Sequence, residues 1–171
     1  MTRLSAVGAF IALIAMSACD LPERITKLEK DNKELRTTQS ERDRVANYDL
    51  QAKCAKDARE YFEKGWGTTD KNTLLLDFKD HYNRGENRCF ILIEYHYNSK
   101  MVGVDGTSWT NLMNIYDVQE NNEYAEFGEN HYSYYKPKVT TGSEVVMCKV
   151  RGQECKSIDE FNKLCWSLMN E

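Results

Sequence analysis

The cysteines and histidines are the residues of this sequence best able to carry covalent or proton-transfer chemistry, and their spacing excludes most of it. Cys54, Cys89, Cys148, Cys155 and Cys165 contain no Cys-x-x-Cys pair, the spacing that a structural zinc site or a thiol oxidoreductase would use. The closest two, Cys148 and Cys155, have six residues between them. His81, His96 and His131 are far apart, and the chain holds no His-Glu-x-x-His, Gly-x-Ser-x-Gly, Ser-x-x-Lys or glycine-rich phosphate loop. Asp77 precedes His81 by four residues, which on a helix would pair a base with its orienter. The run from Leu74 to Phe78 reads as a strand, however, where the two merely share a face. No catalytic residue, metal or cofactor is therefore expected.

The N-terminus gives Cys19 a different chemistry. Residues 1–18 combine Arg3, an apolar run from Leu4 to Ala15 and small residues ahead of Cys19. Such a run falls short of the roughly 20 apolar residues of a membrane-spanning helix and reads as a cleaved export signal. Met16-Ser17-Ala18-Cys19 resembles the lipobox of bacterial lipoproteins, with Met where Leu is usual. The resemblance implies diacylglyceryl attachment at Cys19, often with a further amide-linked chain, an anchor that holds where one chain alone would be marginal. Asp20 resembles the residue that favours inner-membrane retention in enteric members of the family. The alternative is ordinary cleavage after Ser17, leaving Cys19 as one more thiol. The lipoprotein reading places the protein in the bacterial cell envelope, anchored through Cys19 and facing the periplasm or exterior.

The oxidising envelope favours disulfides over metal ligands for the other five cysteines. A two-residue turn at Arg151-Gly152 would pair Val150 with Gln153 and set Cys148 opposite Cys155, within bridging reach. Cys54 and Cys89 would then staple a helix to a strand. Cys165 is left as a free thiol on an apolar helical face with Ile158, Phe161 and Leu168, packing as a small hydrophobe.

The elements that must position these residues follow from periodicity. Residues 19–47 form a lipidated N-terminus and a helical stalk, with Ile25, Leu28, Asn32 and Leu35 on one 3-4-3 seam and Asn32 at an a-type position. Gln39 and Arg42 end the pattern after two heptads, fewer than the three or four of a convincing coiled coil. A solvated helical spacer is the first reading and a homo-oligomer through the seam the second. Either would span about 35 Å at 1.5 Å per residue. Residues 48–171 form the disulfide-bonded domain. A helix from about Val45 to Lys64 shows Tyr48, Ala52, Ala55, Ala58 and Phe62 on one face. Runs 74–78, 89–97, 112–118, 124–127 and 144–150 read as strands with short, antiparallel connections. Ser157-Ile158-Asp159-Glu160 reads as a capping box opening a last helix. The expected fold is α+β: helical stalk, helix, antiparallel sheet of about five strands, C-terminal helix. Cys54-Ala55, His81-Tyr82-Asn83 and Cys89-Phe90 loosely resemble motifs of uncharacterised small exported bacterial proteins, a resemblance that implies no activity.

Loss of Arg3 with the signal takes the net charge from -4 to about -5, which argues against nucleic acid or an anionic lipid surface as the main partner. Tyr95, Tyr97, Tyr116, Tyr124, Tyr132, Tyr134 and Tyr135 cluster among the strands. Aromatic rows on a sheet bind glycans or peptides, although more often they are half-buried neighbours. The stretch from His131 to Lys138, with Tyr132, Tyr134 and Tyr135, reads as an exposed binding edge. The functional expectation is a non-catalytic binding or spacer module whose partner is an envelope protein or glycan; the alternative is a periplasmic hydrolase.

Overall fold

The computed structural model describes residues 21–99, 105–135 and 138–170. Residues 1–20, which include the expected signal segment, Cys19 and Asp20, lie outside the described residues. The chain divides into two units, Met1–Ala46 and Asn47–Glu171. Helix α1 (Leu21–Gly65) has no internal glycine, opens with Pro22 in the first turn, where no N–H is needed, and stops at Gly65. Glu23 in its first turn and Lys64 in its last complement the helix dipole. Every residue from Leu21 to Ala46 is exposed. No helix among the described residues is long and apolar enough to cross a membrane.

The second unit is α+β. Strands β1 (Thr73–Asn83), β2 (Arg88–Ser99), β3 (Gly106–Asp117), β4 (Asn122–Tyr134), β5 (Thr140–Val150) and β6 (Gln153–Glu154) form one antiparallel sheet in chain order, followed by helix α2 (Ile158–Asn170). Left-handed backbone at Arg151 (φ 49°) and Gly152 (φ 82°) is the two-residue turn that matches strand twist. It pairs Val150 with Gln153, as the spacing predicts. The α2 cap is a variant of the expected box. Ser157 Oγ accepts the Glu160 N–H at 3.2 Å, but the Glu160 carboxylate accepts the Lys156 N–H at 2.7 Å instead of that of the capping residue.

Alternation along the strands gives each sheet face its own core. On one face α2 packs Phe161, Cys165 and Leu168 against Phe90, Ile115, Phe127 and Val150. On the other, the C-terminal part of α1 packs Cys54, Ala58, Tyr61 and Phe62 against Ile91, Ile93 and Phe78. This corrects the expected α1 face: Tyr48 is 74% exposed and Ala52 is also exposed. Ala58 and Phe62 of the expected row do face the sheet, and Cys54, outside that row, joins them through its disulfide. Polar side chains lock both helices. Gln51 donates to Asp80 at 3.1 Å and accepts the Tyr82 N–H at 3.0 Å. Buried Asn83 donates to the Ser167 carbonyl at 2.6 Å, satisfying an otherwise orphaned group at the end of α2.

Candidate functional site

Cys54 is bonded to Cys89 and Cys148 to Cys155, with Cα separations of 5.3 and 5.0 Å. Cys165 is the free cysteine among the described residues and is buried. Burial pushes its thiol up to about 12, with a smaller opposing pull from Arg151. It borders a cleft of about 530 Å³ between α2 and the sheet, with Leu92, Phe161 and Trp166. A thiol held in its protonated form there is a poor nucleophile.

The tyrosine stretch is not an edge. Tyr132 and Tyr134 lie in β4, hydrogen-bonded to β3 on one side and β5 on the other, while Tyr135 follows the strand. The pairing register puts Tyr95, Tyr97, Tyr132 and Tyr134 on the face that α1 partly covers. Tyr95 stacks on Tyr97 and Tyr132 contacts Tyr134, each pair at 5.1 Å between ring centroids. Tyr132 also occupies the space above its cross-strand partner Gly142, where a Cβ would collide with the ring. This accounts for the glycine and for the tyrosine's partial burial.

The opposite face gathers chemistry that sequence spacing conceals. Cross-strand partners are His96 with Asn111, Asn111 with Glu129, and Trp109 with His131. All five side chains therefore share the face that carries α2, beyond the rows that α2 covers. Trp109 and His131 stack with centroids 3.7 Å apart and an interplanar angle of 7°. His96 flanks the indole at 5.7 Å and 38°. Each imidazole meets the carboxylate two residues earlier on its own strand: His96 Nε2 lies 3.1 Å from Glu94, and His131 Nε2 lies 3.3 Å from Glu129. His96 Nε2 is buried against the Glu94 carboxylate, and Asn111 Oδ1 is buried on the cross-strand partner. Polar groups of His96, Asn111, Glu94 and Glu129 thus converge beside an aromatic stack. The His and Glu side chains of these two pairs remain 20% to 31% exposed.

His96 and His131 are thus brought together and His81 is not. His81 pairs with Phe90, six residues and about 20 Å along β2 from His96. Asp77 stands opposite Glu94, at the rim of the cluster. The overlooked sequence signal is Glu-x-His-Tyr, present as Glu94-Tyr95-His96-Tyr97 and again as Glu129-Asn130-His131-Tyr132. On a strand this motif sends Glu and His to one face and Tyr to the other. Two copies on β2 and β4 therefore flank Trp109 on β3. Among the described residues no group of three or more His, Cys, Asp or Glu could hold a metal ion. No protein-family model, curated protein or solved structure matches this chain.

Proposed function

We propose that this protein is a lipid-anchored module of the bacterial cell envelope, tethered through Cys19, whose domain binds a glycan on the sheet face around Trp109 without transforming it. The lipobox-like Met16-Ser17-Ala18-Cys19 and the apolar run before it support the anchor. The observation that carries the binding reading is the Trp109–His131 stack with His96 and the Glu94 and Glu129 carboxylates around it, the His and Glu side chains 20% to 31% exposed on a face that α2 leaves open. Imidazole and amide groups together offer a donor and acceptors at one spot, while Glu94 and Glu129 accept hydrogen bonds. Sugar hydroxyl and acetamido groups supply the complementary set, and the indole and imidazole edges supply apolar contact. A peptide added as a further strand would instead need a sheet edge, and these residues lie on interior strands.

The runner-up, a hydrolase, draws on the His131–Glu129 pair, which has base-and-orienter geometry. Calorimetric titration with an N-acetylglucosamine tetrasaccharide separates the readings. The binding reading predicts saturable heat, affinity weakened about tenfold or more by Asn111→Ala, and an unchanged saccharide after prolonged incubation. New reducing ends that disappear in Glu129→Gln would establish the hydrolase. Absence of saturable binding would remove the glycan.

A further inference from the structure

The exposed seam of α1 specifies its own partner. Leu21, Ile25, Leu28 and Leu35 are 58%, 49%, 66% and 69% exposed, and every residue between Leu21 and Ala46 is exposed. Nothing among the described residues of that unit buries these side chains. With Ile25 as a, the d positions are Leu21, Leu28 and Leu35, and the next a position is Asn32. Ile at a with Leu at d is the combination that favours two strands. The flanking positions then fall on charges of opposite sign. Arg24 and Asp31 occupy g, Glu29 and Arg36 occupy e, and in a parallel in-register pair each g residue meets the e residue five positions on in the other copy. Arg24 meets Glu29, Asp31 meets Arg36, and symmetry doubles both contacts. The ion pair Lys30–Glu34 at 3.9 Å lies on the outer face, leaving the seam clear.

We infer that residues 21–39 form a parallel, in-register, two-stranded coiled coil with a second copy of this chain. Charge alone also permits an antiparallel pair, since Arg24 would face Asp31 and Glu29 would face Arg36. Asn32 decides between them. In the parallel pair it opposes its own copy, where two amides can hydrogen-bond; antiparallel, it would face Leu28 and leave an amide unmet. The inference rests on residues of the first unit alone and is independent of the glycan reading.

Cysteine scanning of the full chain tests it, with unsubstituted protein reporting the background from its own thiols. Leu28→Cys and Leu35→Cys should each self-link to a dimer under mild oxidation, and Lys30→Cys, on the outer face, should remain at background. In the Leu35→Cys protein, Arg24→Glu should abolish most of the dimer by opposing Glu29 with a like charge, and adding Glu29→Arg should restore it. Linkage of Leu35→Cys no greater than that of Lys30→Cys would overturn the inference, because antiparallel chains hold the two copies of residue 35 far apart. Cross-linking indifferent to both charge reversals would overturn it equally.

Discussion

The two ends of the sheet are built on opposite principles. At the end holding Cys89 and Cys148, both faces are covered: α1 and α2 seal them, two disulfides tie the elements, and Phe90, Phe127 and Phe161 are at most 1% exposed. Charges there are neutralised in place. Arg88 bridges buried Asp117 and, at 2.8 Å, Glu120, and its hydrogen bond holds the Glu120 carboxyl below the usual range. At the other end neither helix covers the rows bearing Trp109, and the same strands carry His96, Asn111, Glu129 and His131 half-buried, each imidazole against a carboxylate. A long meander lets one half stabilise the strands while the other half keeps groups that a folding core would reject.

The contrast is tested first by truncating one large aromatic side chain at each end. Phe127→Ala should destabilise by about 4 kcal/mol, through lost burial and the cavity left against Phe161. Trp109→Ala should cost less, about 2 kcal/mol, from a half-buried side chain and one stacked pair. Chemical denaturation of both variants measures this, and equal losses would erase the distinction between the two ends.

Removing the Cys54–Cys89 tie as Cys54→Ala/Cys89→Ala should cost about 3 kcal/mol, since it frees a loop closed over 35 residues. Losing the Cys148–Cys155 bridge should cost less, because it closes only 7 and the hairpin turn already sets its register.

Cys165 gives an effect confined to a defined pH window. Its folded thiol titrates near 12, above the ordinary 9.0, so the unfolded chain loses this proton first. Stability from the buried neutral thiol is full below about pH 9 and declines as the pH rises towards 12. Cys165→Ala should remove that component of the decline in alkaline unfolding curves. Iodoacetamide at pH 8 should leave Cys165 unmodified in native protein and alkylate it after denaturation; rapid native labelling would show the α2 packing to be open.

The sequence is legible where helices cover the sheet and much less so elsewhere. Runs 89–97 and 144–150 stand out because their covered rows are apolar, and the register of the Arg151-Gly152 turn selects Cys148 with Cys155. β3 and β4 read too short for the same reason. Residues 106–111, Gly-Thr-Ser-Trp-Thr-Asn, and 128–134, Gly-Glu-Asn-His-Tyr-Ser-Tyr, alternate faces without alternating hydrophobic with polar, so periodicity passes over them. The cluster around Trp109 shares that blind spot. His96 and His131 lie on strands separated by β3, and only the pairing register places both beside Trp109. The Tyr132–Tyr135 stretch reads as an edge although β4 lies between β3 and β5, because aromatic content does not report strand order.

The central claim, that the uncovered half of the α2 face is the binding site, is tested most directly by chemical-shift mapping during titration with the N-acetylglucosamine tetrasaccharide. The account predicts saturable shifts in the Trp109 indole N–H and the amides of His96, Asn111, Glu129 and His131, with Trp166 and the α2 amides unmoved. Shifts centred on Trp166 and the cleft beside Cys165, or no saturable shifts at all, would contradict it.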